Sequence, residues 1–367
     1  MSHPAVLAVN QLPYADLRRY GWDPFLVVPA AWRHEYAAAA FAPEVLPELR
    51  GRVVGRRVVL SGKVQRHFYL TRTDKLVAQL RPDVAFLEAE VVSASAFQWS
   101  FPLIRAGTPY GVQVAENLQR PTPLPARLFR RHTLSHAAFV AARSPTAAAL
   151  AKRMRADIAA PVIPHHVPPW NTGQKPVRCG RFVAGYAGRL VPEKGLDALI
   201  DAASGLDGVT VRMVGNGPLH EDLRRQAHAC GVDLEIDTEV KHEDMGCAYA
   251  GFDVLVLPSR TTPTWVEQFG RVLVEALWCG VPVLGSDSGE IPWVIGTTAG
   301  GVVFPEGDAD ALREALRRMR DAPRETAALG ARGRENVRAS FSVEAVSQRL
   351  DAALKLAVGQ SSAVRQF

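Results

Sequence analysis

Two glutamates lie eight positions apart in the segment VEQFGRVLVEAL, which covers residues 266–277. Glu267 precedes a Phe-Gly step, and Glu275 follows it inside an apolar pattern of helical period. A helix that begins near Gly270 would present backbone N–H groups at its positive end, where phosphate groups bind. A carboxylate on each side of that end would accept hydrogen bonds from sugar hydroxyls. The spacing therefore suits a phosphorylated sugar, and a capped helix with two acidic residues is the plain alternative.

Two cations precede these glutamates in the segment GYAGRLVPEKG. A strand is predicted to end at Gly188 and Arg189, and a helix to begin after Lys194. Arg189 offers a planar fork and Lys194 a point charge, which together suit a diphosphate. A further loop, VGNGP, puts Gly215 at the end of another predicted strand, with Pro218 at the first position of the following helix. These loops must meet for the residues to act together.

The rest of the sequence predicts a scaffold that would bring them together. Short apolar runs alternate with helical patterns before and after a Pro-rich segment at residues 161–180. The predicted strands are AVLAV, PFLVV, RRVVLSG, DVAFLEA, YGVQVA and AFVAA in the first half, and RFVAGYAG, VTVRMVG, DLEIDTEV, DVLVLPS, VPVLGSDSG and GGVVFP in the second. Two successive βα alternations predict an α/β protein with two doubly wound, Rossmann-like domains. Ligands of such folds bind beyond the carboxyl ends of the strands, and the cleft between two such domains is the expected site.

Composition excludes several classes of protein. The 367 residues, 47% of them apolar and 22% charged, are typical of a globular chain of two domains. No apolar run is long enough to span a membrane, and the N-terminus is interpreted as a first strand instead of a signal peptide. The four cysteines form no CxxC pair, which favours a reduced, cytoplasmic protein.

The net charge of +6 is concentrated in the first half, where basic residues outnumber acidic ones. An acidic substrate or peripheral contact with an anionic membrane surface would account for this, and a solvated basic face is the alternative. No nucleic-acid-binding motif accompanies the charge.

We predict no metal site. His132 and His136 share a helix face without a third ligand, and Asp308 and Asp310 fit a helix N-terminus better than a metal-binding pair. The GYAGRL loop also lacks the GxGxxG spacing of a dinucleotide oxidoreductase.

The motifs of the second half resemble those of the retaining family-4 glycosyltransferases of GT-B architecture. The matching elements are GRLVPEKG, VGNGP, the E-x7-E pair from Glu267 to Glu275, and GVPVLGSDSGEIP, which together span about residues 185–292. The resemblance implies donor-binding functions for Gly188, Arg189, Lys194, Gly215, Val240, Glu267, Phe269, Gly270, Arg271 and Glu275.

The resemblance also assigns individual functions to these residues. Arg189 and Lys194 correspond to the cations on the donor diphosphate, and Glu267 to the carboxylate on the donor sugar, so these three are the catalytic candidates. Phe269, Gly270 and Arg271 correspond to loop amides at the sugar and phosphate. Glu275 corresponds to the residue on the ribose hydroxyls, and backbone near Val240 would hold the base.

The first half matches this family less well. The segment VNQLPYADLRRYGWD replaces the usual Gly-Gly loop, and GVQVAENLQRP carries Ala115 where a subset of the family has an aromatic residue. The acceptor-side candidates are Glu88, Glu90, Glu116, Asn117 and His165. Hydrogen bonding of strand ends to neighbouring loops is the alternative for these residues.

The resemblance implies an N-terminal acceptor-binding domain at 1–168, a linker at 169–180, a C-terminal donor-binding domain at 181–340, and a C-terminal helix at 341–367 that packs back on the N-terminal domain. The implied reaction moves a sugar from a UDP- or GDP-sugar to an acceptor hydroxyl with retention of configuration. It would need neither metal nor cofactor and would serve bacterial glycan, glycolipid or glycosylated-metabolite synthesis, on the cytoplasmic side. A nucleotide-sugar epimerase of the same fold, a phosphorylase that uses inorganic phosphate as acceptor, and a non-catalytic nucleotide-sugar-binding protein are the alternatives.

Overall fold

The computed structural model describes residues 1–33, 40–170 and 180–364, and it divides into two compact units. The N-terminal unit comprises Met1–Pro168 together with Val343–Phe367, and the C-terminal unit comprises Pro169–Ser342. Residues 171–179 of the predicted linker lie outside the described residues.

The N-terminal unit is built on short parallel strands. The strands are β1 (Leu26–Pro29), β2 (Val53–Arg56), β3 (Val58–Val59), β4 (Phe68–Tyr69), β5 (Ala85–Glu90), β6 (Tyr110–Val114) and β7 (Phe139–Ala142). The helices are α1 (Leu12–Asp16), α2 (Thr73–Leu80), α3 (Ala94–Arg105), α4 (Leu124–His136) and α5 (Pro145–Met154). Strands β1 and β2 pair in parallel, as do β5, β6 and β7 in that order.

Alternate residues of the buried strands face two apolar clusters. Val140 of β7 joins Leu87 and Val112 in one cluster, whereas Phe139 and Ala141 belong to the other. This period of two is the one expected of strands covered on both faces.

The prediction of a first strand in AVLAV is wrong. Pro4–Val6 and Ala8–Gln11 form 3₁₀ helices that lead into α1. Pro4 has no N–H to give to a sheet, and Ser2 Oγ accepts the N–H of Ala5 at 3.0 Å, so the backbone is satisfied locally. Ser2 itself bridges β5 and donates its N–H to β1.

The segment RRVVLSG is also not one buried strand. It spans the end of β2, the two-residue strand β3 and Leu60, whose φ of 55° is left-handed and ends the extended backbone. Strand β3 pairs antiparallel with β4, so this part of the N-terminal unit departs from the predicted all-parallel arrangement.

The C-terminal unit matches the doubly wound prediction. Its strands are β8 (Phe182–Ala187), β9 (Val209–Val214), β10 (Asp233–Asp237), β11 (Val254–Leu257), β12 (Val283–Ser286) and β13 (Gly301–Phe304). Its helices are α6 (Leu196–Ala203), α7 (His220–Cys230), α8 (Met245–Ala250), α9 (Arg271–Trp278), α10 (Ile291–Thr298), α11 (Ala309–Asp321) and α12 (Pro323–Phe341). Helix α7 begins at His220, so Pro218 precedes the helix and does not open it as predicted.

The described strands of this unit form one parallel sheet in the order β10-β9-β8-β11-β12-β13. From β8 the chain adds β9 and β10 on one side and then crosses to add β11, β12 and β13 on the other. The order therefore reverses between β8 and β11, and the loops that follow these two strands diverge there. Such a reversal is where open α/β sheets bind their ligands.

The last helix, α13 (Val343–Val364), belongs to the N-terminal unit. Trp22 Nε1 donates to Asp351 Oδ1 at 2.7 Å, and Val346 and Leu350 join the apolar cluster that contains Phe139. The prediction that the C-terminal helix packs on the N-terminal domain is confirmed. None of the helices in the described residues has the length and apolar character that crossing a bilayer requires.

Candidate functional site

The loops after β8 and β11 touch each other at the point where the strand order reverses. Gly195 has a left-handed φ of 62°, and a Cβ at this position would lie 2.2 Å from the carbonyl oxygen of Pro258. Only glycine allows that approach. The N–H of Arg260 also donates to the carbonyl of Glu193 at 2.9 Å. The two loops therefore form a single surface above the sheet.

This surface carries a buried ion pair between the two loops. Lys194 Nζ lies 2.6 Å from Glu267 Oε2, and the two side chains are only 13% and 10% exposed. The ring of Trp265 lies 4.8 Å from Lys194 Nζ, which adds a cation–π contact. The sequence put both residues in one site, and the structure brings their charged atoms into direct contact.

Glu267 is held by neutral donors as well as by the lysine. Ser259 Oγ donates to Oε2 at 2.9 Å, and the N–H of Gly270 donates to Oε1 at 3.3 Å. A carboxylate with several donors has little freedom to reorient. The site thus presents a fixed negative charge beside a fixed positive one.

The prediction that Gly270 offers an open N–H is corrected by this contact, because Glu267 accepts it. Gly270 is the N-cap of α9, with φ of 73°, and helix α9 begins at Arg271 as expected. The ring of Phe269 is 4% exposed and packs against Trp293 and Phe341. The Phe269 side chain therefore anchors the loop to the helices behind it.

Glu275 is buried one turn into α9, with 7% of its surface exposed. Tyr249 Oη donates to Oε2 at 2.7 Å, and Arg271 Nε lies 2.9 Å from Oε1 as an ion pair. Burial, reinforced by the charge of Glu275, raises the pKa of Tyr249 well above its usual value. The same two causes raise the pKa of the Cys279 thiol to about 12. Glu275 is thus a fixed charge in a protected environment.

Arg189 lies at the exposed edge of this surface. Its side chain is 43% exposed, and Nη2 lies 3.9 Å from Glu193 Oε1. The backbone of Arg189 is fixed because Tyr186 Oη donates to its carbonyl at 2.7 Å. Burial and the nearby charge of Glu267 raise the pKa of Tyr186. The guanidinium is therefore accessible from solvent, on a backbone that the tyrosine holds in place.

The three other predicted donor-side residues also lie at strand ends of this sheet. Gly188 follows β8 and Gly215 follows β9, and the N–H of Gly188 donates to the carbonyl of Val214 at 2.9 Å. Val240 is half-buried in the segment between β10 and α8.

Sequence reasoning missed four side chains that contact the predicted residues. These are Ser259, Trp265, Tyr186 and Tyr249. The first could have been found, because a Ser directly after a buried strand stands at the expected ligand edge. Tyr249 gave no signal, since it lies 26 positions before Glu275 in a helix with no motif.

In the N-terminal unit, Glu88 has both carboxylate oxygens engaged. Arg143 Nη2 donates to Oε1 at 2.5 Å, while Ser2 Oγ and Tyr14 Oη donate to Oε2 at 2.5 and 2.6 Å. Burial raises the pKa of Tyr14, and the charge of Glu88 adds to that effect. This network corresponds to the structural alternative considered for Glu88, a carboxylate that ties strand ends to neighbouring loops.

Glu90 and Glu116 line a cavity of about 500 Å³ in the same unit. Glu90 Oε1 accepts the N–H of Ala115 at 2.7 Å, and Glu116 Oε1 lies 3.4 Å from Arg120 Nη2. Burial raises the pKa of Glu90 to about 7, outweighing the bond from Ala115 that lowers it, and the charge of Glu116 raises it further. A carboxyl group poised near neutrality in a cavity is a common feature of functional sites.

The other two acceptor-side candidates lie elsewhere in the N-terminal unit. Asn117 is half-buried in the loop after β6, and His165 is half-buried in the segment that follows the bridge between Ala142 and Val162. Neither belongs to the lining of the cavity that contains Glu90.

Within residues 1–33, 40–170 and 180–364, no three or more His, Cys, Asp and Glu side chains are grouped as they would be to hold a metal ion. Metal independence of the reaction stays a prediction.

Residues 172–336 match the family model described as Glycosyl transferases group 1, and these residues fall within the C-terminal unit. A relative from Corynebacterium glutamicum is the GDP-mannose-dependent monoacylated alpha-(1-6)-phosphatidylinositol monomannoside mannosyltransferase. It is 36% identical over 168 residues, which are 44% of this chain and 44% of the relative. The match therefore spans less than half the length of that curated relative.

Solved structures show the fold over nearly the whole chain. Sucrose-phosphate synthase from Thermosynechococcus elongatus aligns with a TM-score of 0.70 and 20% identity, covering 95% of this chain and 92% of its own. The Anabaena protein HepE, in complex with UDP, aligns with a TM-score of 0.69 and 18% identity, covering 95% and 94%. The predicted GT-B fold is confirmed.

Proposed function

We propose that this chain is a retaining glycosyltransferase of family 4, which moves a sugar from a nucleoside-diphosphate sugar to an acceptor hydroxyl. One observation carries the proposal. Lys194 and Glu267 form a buried ion pair at 2.6 Å where the strand order of the C-terminal unit reverses. A cation for a diphosphate and a carboxylate for a sugar then stand side by side at the ligand edge of the sheet.

The cations would act on the leaving group. Breaking the bond between the anomeric carbon and the diphosphate leaves negative charge on phosphate oxygens and oxocarbenium character on the sugar. Lys194 and the exposed guanidinium of Arg189 are preorganised to stabilise the phosphate charge, because both emerge from the short loop after β8.

Glu267 would act on the sugar. Its carboxylate accepts hydrogen bonds from sugar hydroxyls, and its negative charge favours the developing positive charge on the ring. The contacts from Ser259 and Gly270 hold the carboxylate in place before the donor arrives. Such preorganisation avoids a reorganisation cost during the reaction.

Glu275 would accept hydrogen bonds from the ribose hydroxyls of the donor. Tyr249 and Arg271 already fix its two oxygens, so the ribose would add to existing contacts. The resemblance further implies that backbone near Val240 receives the base. The Corynebacterium glutamicum relative is GDP-mannose-dependent by name, and the Anabaena structure is a complex with UDP, so a guanine or uracil nucleotide is the expected donor.

The acceptor would bind to the N-terminal unit, in the cavity that Glu90 and Glu116 line. The relative's name describes a phosphatidylinositol mannoside as acceptor, which supports synthesis of bacterial glycolipids or related glycans as the setting. Peripheral contact of the basic N-terminal unit with an anionic membrane surface on the cytoplasmic side belongs to the same proposal.

A thermal-shift panel with UDP-, GDP-, ADP- and dTDP-sugars tests donor binding, because a ligand of the native state raises the melting temperature. At least one sugar nucleotide should raise it, and Lys194→Ala should lose most of the shift. Arg225→Ala is the matched control, since Arg225 and its partner Asp222, both on α7, are 75% and 58% exposed. Equal shifts in wild type and both variants would exclude the donor site.

A product assay then separates transfer from its alternatives. Transfer releases nucleoside diphosphate only when an acceptor is present, whereas an epimerase converts the donor alone and releases none. Binding without either reaction would identify a non-catalytic sugar-nucleotide-binding protein.

A further inference from the structure

We propose that the cavity between the strand ends and helices α4 and α5 of the N-terminal unit binds a phosphate group of the acceptor through Arg130 and Arg153. We call it the arginine cavity. Its description as an acceptor subsite rests on the proposed function, whereas its affinity for phosphate does not.

The arginine cavity lies where an α/β unit is expected to bind ligands. Its wall includes Glu90 at the carboxyl end of β5, Glu116 and residues 118–123 of the loop after β6, Arg130 on α4 and Arg153 on α5. The cavity volume is about 500 Å³, which accommodates a small organic phosphate. The lining is drawn from several strands, loops and helices of one unit, so it is part of the fold and not a gap under a single loop.

The charges of this cavity are unbalanced in favour of cations. Arg120 is paired with Glu116 at 3.4 Å. No carboxylate of the described residues forms an ion pair with Arg130 or Arg153. A guanidinium stays charged at all physiological pH values and presents a planar fork to phosphate oxygens. Two such forks facing one cavity match a dianionic phosphate in charge.

Glu90, the lining carboxyl group outside the pair of Glu116 with Arg120, offsets these cations only in part. Burial raises the pKa of Glu90 to about 7, so at neutral pH it carries less negative charge than an ordinary carboxylate. Its Oε1 already accepts the N–H of Ala115. The arginine cavity therefore keeps its positive potential while holding a carboxyl group that can meet an acceptor hydroxyl.

Beside polar residues such as Gln65, the remaining wall has an apolar part that would contact an organic substituent of the phosphate. Val91, Val92, Leu118 and Met154 line it. A free inorganic phosphate would leave this surface unused, whereas a phosphate ester would cover part of it. Phenyl phosphate is the simplest probe with both features.

Isothermal titration of the full chain with phenyl phosphate tests the proposal. Arg130→Gln with Arg153→Gln should weaken binding at least about tenfold, because two charge-assisted contacts are lost together. The matched control is Arg127→Gln with Lys152→Gln, which removes one exposed cation from each of the same two helices, outside the cavity lining. The control should stay within about twofold of wild type.

Three outcomes would overturn the proposal. An equal loss of phenyl phosphate affinity in both double variants would indicate that general surface charge binds the phosphate. Unchanged affinity in both would indicate that the phosphate binds elsewhere. Competition by UDP or GDP would assign the phosphate to the loops that carry Lys194. Melting curves of both double variants show whether each is folded.

A second pair of ligands distinguishes a soluble phosphate ester from a lipid headgroup as the source of the phosphate. Soluble glycerol 3-phosphate is compared with vesicles of phosphatidylcholine containing phosphatidic acid. If binding of either ligand is lost only in Arg130→Gln with Arg153→Gln, the result supports the arginine cavity. If the wild type binds the vesicles but not glycerol 3-phosphate, the phosphate belongs to a lipid headgroup. If wild type binds phenyl phosphate in this way but no nucleotide sugar, the proposed function fails while the arginine cavity stands.

Discussion

Replacing Lys194 with Ala should destabilise the protein by about 3 kcal/mol. The side chains of Lys194 and Glu267 are 13% and 10% exposed, with 2.6 Å between Nζ and Oε2. Removing one partner of a buried ion pair typically costs about 3–5 kcal/mol, because the other charge stays buried without compensation. Ser259 and Gly270 still donate to Glu267, which places the expected cost at the lower end.

A double-mutant cycle isolates the pair from the rest of the loop. Glu267→Gln should cost about 1–2 kcal/mol, since the amide keeps the shape of the side chain but leaves the buried ammonium less well compensated. The double variant should cost less than the sum of the two single variants, with a coupling energy of about 2 kcal/mol. Lys241→Ala, which breaks an exposed pair, should leave stability unchanged within error.

Urea unfolding followed by far-ultraviolet circular dichroism supplies the free energies for the cycle. Calorimetric titration of the same proteins with UDP and GDP should show at least about tenfold weaker binding to Lys194→Ala. A cost for Lys194→Ala no greater than that for Lys241→Ala would refute the buried-pair argument. So would coupling near zero between Lys194 and Glu267, because the two side chains would then act independently.

The other predictions concern pH, the two glutamates and metals. Burial raises the pKa of Glu90 from 4.5 to about 7, so its stabilising contribution is full below pH 4.5 and is lost as pH rises through 7. Stability curves at pH 5 and pH 8 should therefore show Glu90→Gln gaining on wild type by about 2.5 kcal/mol, and parallel pH dependence in both proteins would contradict the assignment. Glu267→Gln should lower kcat of the proposed transfer more than it raises the donor KM, because the carboxylate acts on charge that develops in the transition state. Glu275→Ala should mainly raise the donor KM, with melting curves to show that each variant is folded; the opposite pattern would exchange the two assignments. Turnover should persist in excess EDTA, and a loss restored by Mg²⁺ or Mn²⁺ would refute metal independence.

The sheet of the C-terminal unit was predictable because its central strands are buried on both faces. The run Val254–Leu257, for example, is fully buried and is bounded by breaks that the sequence shows plainly. Once the strands were placed, the loops holding Lys194 and Glu267 had to lie at the same edge. The prediction of a first strand was wrong for a local reason. AVLAV is apolar enough for a strand, but Pro4 and the Ser2 hydroxyl favour a turn.

The contacts within the site were beyond sequence reasoning. Lys194 and Glu267 are 73 positions apart, and no periodicity reports that their charged atoms meet. The hydrogen bond from the Gly270 N–H could not be predicted for the same reason. Whether an N–H at a helix N-terminus is open depends on the orientation of one carboxylate, here that of Glu267. The arginine cavity required four elements to be placed in space before its charge balance was apparent.

The return of α13 to the N-terminal unit makes the C-terminal unit an insertion within another domain's chain. Val346, Leu350 and Leu354 fill a core whose other members were synthesised more than 170 residues earlier, such as Phe139 and Ile163. During translation, the domain that leaves the ribosome first is therefore the last to be completed. Until α13 emerges, the apolar residues that it covers in the N-terminal unit must be shielded by other means. Every element of the C-terminal unit is by then available to fold.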